Sequence, residues 1–110
     1  MSIKLFCLEK GKTPAAQHAF PVNISREESI SALKKLIKAE KPVAFAHVDA
    51  DNLRLWMVEI PTDRNDPIQE QPQLLQDNNQ LKATDYIDDY WTATPKRRHI
   101  HVIVEVPTGN

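Results

Sequence analysis

Residues 99–107 read His-Ile-His-Val-Ile-Val-Glu-Val-Pro, and no other stretch restricts the possible folds as strongly. Five of the seven residues from Ile100 to Val106 are Val or Ile, side chains that suit a packed, pleated surface better than a helix. The two-residue strand period sends Ile100, Val102, Val104 and Val106 one way and His99, His101, Ile103 and Glu105 the other. A run this rich in Val and Ile reflects burial within a sheet, so the fold must supply neighbours for it. Pro107 closes the run.

The neighbours are legible upstream. Ile3–Leu8 is strand-like, with Ile3, Leu5 and Cys7 on one face. The turn signals of "EKGKTPAAQ" lead to "HAFPVNI", where Phe20, Val22 and Ile24 alternate, so the two runs predict a β-hairpin. Pro21 has no N–H to donate and belongs on an edge or at a bulge. Ser25-Arg26-Glu27-Glu28 has the capping-box pattern, with Ser29 a rival N-cap. The helix that follows carries Ile30, Leu33, Ile37 and Leu36 as its apolar stripe, with Lys34, Lys35 and Lys38 in water, and Pro42 stops it. A third strand runs through "VDADNLRLWMVEIP", with Leu53, Leu55, Met57 and Glu59 opposite Trp56 and Val58, so both faces are covered. Residues 62–80 read as a long exposed loop with a helical turn at Leu74-Leu75, and residues 81–91 fold back onto the core.

Strand, strand, helix, strand, loop, strand is a β-grasp order. The expected fold is α+β, a mixed sheet of four to five strands with one main helix across it. A right-handed crossover places the closing strand beside the first and parallel to it. At 110 residues the chain is one domain by length, large enough to bury roughly two-thirds of its unfolded surface.

Little in the composition points to chemistry. Fourteen Lys/Arg against fifteen Asp/Glu give a net charge of −1, so no global field draws the chain to nucleic acid or to a membrane, and no apolar run is long enough to span one. No signal-peptide pattern opens the chain. Cys7 is the only cysteine and reads as a small buried hydrophobe. His99 and His101 project from one face as two metal ligands would, but they lack further ligands nearby and read as a solvent-facing or half-buried pair. Asp49-Ala50-Asp51-Asn52 starts like a calcium loop, yet Ile60 stands at the twelfth position, so a polar turn is expected. Asp85, Asp88 and Asp89 read as a solvated or capping cluster, and Trp56, Tyr90 and Trp91 as cover for the second sheet face. Two glycines cannot build a phosphate cradle. No cofactor is expected and no enzyme activity. Lys96-Arg97-Arg98 remains as a basic patch.

"IKLFCLEKG", "FPVNI", "SISALKKLIKAEKP", "DADNLRLWMVEIP" and "HIHVIVEVP", in that order, resemble the N-terminal header domain of the Crinkler effectors, modular proteins of oomycetes, fungi and some other eukaryotes. The resemblance covers approximately residues 2–107 and implies a ubiquitin-like fold, in agreement with the β-grasp order. The family's translocation motif, Leu-Phe-Leu-Ala-Lys in oomycete members, is matched by Leu55, Trp56, Met57, Val58 and Glu59, closer to the fungal Leu-Trp form. The motif that marks the junction between the N-terminal domain and the effector region is matched by His101, Val102, Ile103, Val104, Glu105, Val106 and Pro107. The resemblance thus implies a ubiquitin-like Crinkler N-terminal domain over residues 1–107, with 108–110 opening a linker to a C-terminal effector region.

The implied function is that of a non-catalytic N-terminal domain serving secretion, translocation into host cells and protein–protein contact, with the full-length effector acting in the host nucleus. The alternative is a free-standing ubiquitin-like adaptor that binds a partner protein non-covalently, since Pro107-Thr108-Gly109-Asn110 has no di-glycine tail. An exposed edge beside Pro21 leaves room for a homodimer. A nucleic-acid binder would rest on Lys96–His99 alone, and the near-zero net charge argues against it.

Overall fold

The structure is a computed structural model and describes residues 2–10, 15–63 and 80–106. Strand β1 (Ser2–Glu9) leads through a short helix α1 (Ala15–His18) to β2 (Phe20–Ser25). The main helix α2 (Ile30–Glu40), a 3₁₀ turn (Ala50–Asn52), β3 (Arg54–Pro61), a one-turn helix α3 (Ile87–Tyr90) and β4 (His99–Glu105) follow. The sheet order is β2-β1-β4-β3. β1 pairs antiparallel with β2, from Ser2–Ser25 to Cys7–Phe20, and parallel with β4, from Cys7–Val102 to Glu9–Val104. β3 pairs antiparallel with β4. The closing strand is therefore interior and parallel to the first, and the fold is a β-grasp-like α+β arrangement.

The alternation in β1 and β2 survives intact. Ile3, Leu5, Cys7, Phe20, Val22 and Ile24 are all buried in one cluster with Ile30, Leu33 and Ile37 of α2. Pro21 lies on the edge strand opposite Phe6. Phe6 directs its N–H to the β4 side, where the His101 ring accepts it, so Phe6–Pro21 is a non-hydrogen-bonded pair and the missing donor costs nothing.

The helix begins at the second serine. Ser25 ends β2 and forms a turn, its Oγ accepting from the Glu27 N–H at 3.2 Å and its carbonyl from Glu28 at 3.1 Å. Ser29 is the N-cap, accepting from the Ala32 N–H at 3.2 Å. The capping box at Ser25–Glu28 does not form because those residues are still turning out of the strand. The Ile30 and Ser31 amides donate to the Asp85 and Ala83 carbonyls at 2.8 and 3.2 Å, while the Ile87 and Asp88 amides of α3 donate to Glu28 and Arg26 at 2.9 and 3.1 Å. Two helix starts thus satisfy each other's exposed donors with backbone carbonyls. Ser29→Ala should cost about 1 kcal/mol, read as a lower urea midpoint at unchanged m-value.

Lys34 departs from its expected place in water. It is buried beside Leu33 and one turn from Ile30, within the width of the apolar stripe, whereas Leu36 is exposed. Its aliphatic stem packs while the amine reaches toward the 3₁₀ turn. Burial holds that amine below its ordinary pKa, and the Asp51 carboxylate pulls it part of the way back. Asp49–Asn52 is the expected polar turn, closed by Asn52 N–H donating to Asp49 at 2.9 Å and Leu53 N–H to Ala50 at 3.1 Å. The expected helical turn at Leu74-Leu75 and the linker at 108–110 lie outside the described residues.

A second, smaller cluster joins Leu8, Trp56, Val58, Ile60, Ile100 and Ile103. Ile100 sits here, not with Val102 and Val104 as simple alternation places it. The register between β3 and β4 shifts between Met57–Val102 and Ile60–Ile100, so Val58 and Glu59 together face His101. Such a bulge breaks the strict period and re-aims the residues beyond it.

Candidate functional site

Three groups of residues singled out in the sequence meet in space. The Leu55–Glu59 stretch lies in β3, the His101–Glu105 stretch in β4, and the two strands pair through Leu55–Val104, Trp56–Ile103 and Met57–Val102. The basic residues Lys96, Arg97 and Arg98 form the turn that feeds β4, and all three are exposed. Lys96 reaches across to Glu59, Nζ to Oε1 3.2 Å. Val106 packs partly buried against the main core, and Pro107 lies outside the described residues.

His101 joins these parts. It is buried, not solvent-facing or half-buried, because it stands where β1 and β4 begin to separate. Its Nδ1 accepts the Phe6 N–H at 3.0 Å, which fixes the tautomer, and Nε2–H donates to the Lys96 carbonyl at 2.7 Å. The ring thereby adds one rung between β1 and β4 just before the backbone ladder opens at Cys7–Val102. Burial lowers the His101 pKa, His99 contributes in the same sense, and the Lys96 carbonyl and Glu59 oppose them. His99 donates Nδ1–H to the Arg97 carbonyl at 2.7 Å, so the pair fastens the basic turn. No cluster of three or more metal-ligating side chains occurs among the described residues. Arg98 completes the turn with φ 60°, a left-handed backbone uncommon outside glycine.

Glu105 clamps the other end of β4. Its carboxylate pairs with Lys10 at 2.9 Å and Arg54 at 3.6 Å, one residue from each neighbouring strand segment. Both cations are exposed, so the clamp contributes little energy and chiefly fixes register.

The Leu55–Glu59 stretch is mostly interior. Leu55 is fully buried, Trp56 and Val58 nearly so, Met57 packs partly buried on the main core, and only Glu59 is exposed. Trp56 covers the second sheet face as expected, with its indole N–H buried and unpartnered. Trp91 and Tyr90 do not: they pack in the main cluster on the helix side, because α3 docks beside the start of α2. Asp85 and Asp89 act as caps and anchors. Asp89 accepts the Tyr86 N–H at 2.9 Å, and Asp85 accepts the Tyr90 hydroxyl. Burial is the main reason the Tyr90 pKa is raised, with that hydrogen bond adding to it. Cys7 is fully buried, and desolvation, helped by Glu40, pushes its thiol pKa up, away from reactivity.

The exposed parts of this region are therefore the charged side chains of Glu59 and of the Lys96–Arg98 turn. Residues 3–105 match the family described as Crinkler effector protein N-terminal domain. The chain belongs to that family. This Crinkler N-terminal domain is 45% identical over 107 residues to Crinkler effector protein 1 of Rhizophagus irregularis, the match covering 97% of this chain and 22% of the relative. It is 36% identical to Crinkler effector protein 63 of Phytophthora sojae over 97% of this chain and 28% of that protein. Crinkler effector protein 8 of Phytophthora infestans is 30% identical over 97% of this chain and 20% of its own length. The chain thus spans between a fifth and about three-tenths of these relatives.

Within this Crinkler domain, the sequence did not disclose the roles of His101 and Glu105 as fasteners. An imidazole replacing a backbone acceptor leaves no periodicity to find. The alternation of histidines at 99 and 101 was the one signal, and it was read as a solvent-facing or half-buried pair.

Proposed function

We propose that this chain is the non-catalytic N-terminal domain of a Crinkler-type secreted effector, serving export, delivery into host cells and contact with a protein partner. Residues 1–107 form this delivery domain, and 108–110 lead toward a C-terminal effector region that acts in the host nucleus. Family membership supports the effector reading, and the greater length of the relatives supports the modular one.

What supports the delivery reading is membership of the Crinkler effector N-terminal domain family, and the burial of Leu55, Trp56 and Val58 bears on the form in which a receptor would meet the domain. A receptor cannot read those side chains as a linear signal while the domain is folded, so it reads the folded surface, with Glu59 and the Lys96–Arg98 turn as its nearest exposed parts. The test fuses a reporter after Asn110 and follows it into the medium and into host cells. The wild-type chain should deliver the reporter, and Leu55→Asp should abolish delivery together with the fold. A reporter that stays inside the producing cell, or a Leu55→Asp chain that is unfolded yet delivered, counts against the proposal.

The adaptor alternative differs in the size of the natural product. A native species far heavier than the 12.6 kDa of this chain is expected for a modular effector. A species of 12.6 kDa, detected with an antibody against the domain, would favour the adaptor.

A further inference from the structure

β1 and β4 pair only from Cys7–Val102 onward, although β1 starts at Ser2 and β4 at His99. The strands splay below that point, and a groove of about 700 Å³ opens between the first half of β1 and the basic turn. Lys4, Arg26, Lys96, Arg97 and Arg98 line it, Phe6 is part of its wall, and no carboxylate appears among its lining residues. Among the described residues Glu59 pairs with Lys96. A concentrated positive field therefore sits on a chain whose net charge is −1.

The groove also exposes strand edge. Because the Phe6 N–H points to the β4 side, the N–H and C=O of Lys4, two residues earlier, point the same way. Among the described residues no strand meets them there. Arg26 has its Nε buried without a hydrogen-bond partner. Exposed backbone donors and acceptors, cations on both walls and a half-buried aromatic ring are the parts of a strand-addition site.

We propose that this groove binds an extended acidic peptide of a partner protein, adding it as a short strand along Ser2–Leu5. Its alternate carboxylates meet Lys4, Arg26, Arg97 and Arg98, while the residues between them point to the other face of the sheet. Ser2–Leu5 measures about 10 Å at ~3.3 Å per residue, room for about three or four peptide residues. The proposal rests on the protein-contact reading above and names the chemistry of the partner.

The test titrates the full chain with a short labelled peptide of alternating Glu and Val. Binding with a Kd on the order of 10–100 µM is expected at low salt, weakening as salt rises. Lys4→Glu with Arg97→Glu, both exposed side chains, should weaken it about tenfold or more. An N-methylated peptide of the same charge, which cannot pair with the Lys4 backbone, should also bind about tenfold more weakly. Equal binding of the two peptides, indifference to the charge reversals, or tighter binding of a single-stranded oligonucleotide of matched charge would overturn the proposal. Lack of peptide binding by a folded chain that still delivers its reporter removes this site alone. Failure of the wild-type chain to deliver the reporter removes the delivery reading and leaves the peptide result standing.

Discussion

Leu55→Ala should lower the unfolding free energy by about 2–5 kcal/mol, because a fully buried leucine leaves a cavity between the sheet and α2. For a domain of this size that is a fall in Tm of about 10–20 °C, a large share of a total stability of ~5–15 kcal/mol. Glu59→Gln, four residues along the same strand, should change stability by less than about 0.5 kcal/mol, since both members of its ion pair are exposed. Thermal unfolding of the two variants side by side separates a motif that builds the core from one that is displayed. Equal, small effects would mean that Leu55 is not held as described. The contrast also bears on delivery: reporter transport lost in step with Tm marks a structural role, whereas transport lost in Glu59→Gln at unchanged Tm marks a surface that is read.

His101→Ala should cost about 2–4 kcal/mol, since it strands the Phe6 N–H and the Lys96 carbonyl together. The wild-type chain should also show a pH dependence that this variant loses. The folded state holds His101 below its ordinary pKa of 6.5, so the unfolded chain takes up the proton first as pH falls. The histidine's contribution is therefore fully present above about pH 6.5 and is lost progressively below it, at no more than ~1.4 kcal/mol per pH unit. Denaturant midpoints between pH 5 and 8 check this. A protonated ring cannot accept from Phe6, so the rung between β1 and β4 breaks first and the basic turn loses its anchor. A pH profile between 5 and 7 that is identical in wild type and His101→Ala would refute this account.

Local patterns were enough to specify the elements in which they repeat. Alternation in Ile3–Cys7, Phe20–Ile24 and Leu53–Met57 marked strands whose faces are as read, and the 3.6-residue stripe of Ile30, Leu33 and Ile37 marked the helix. Pro42 ended it, and Pro21 marked an edge. The Val/Ile run placed β4 inside the sheet, and the order of elements was enough for a β-grasp arrangement. The stretches singled out as candidates, at 55–59, 96–98 and 101–107, stood apart in the sequence, and nothing local showed that the first two pack around the third.

How those stretches meet depended on long-range packing. The bulge opposite His101 moved Ile100 to the second cluster, because one extra residue in β3 shifts register and no local pattern announces it. Lys34 was buried by the 3₁₀ turn packed over α2, a contact made by a segment well downstream of the helix. Tyr90 and Trp91 went to the helix side because α2 and α3 exchange carbonyls for amides at their starts, a bond between backbones that side-chain periodicity does not encode. His101 became a rung of the sheet for the same reason: its partners, the Phe6 amide and the Lys96 carbonyl, are groups common to nearly every residue, and only the folded chain selects which of them it meets.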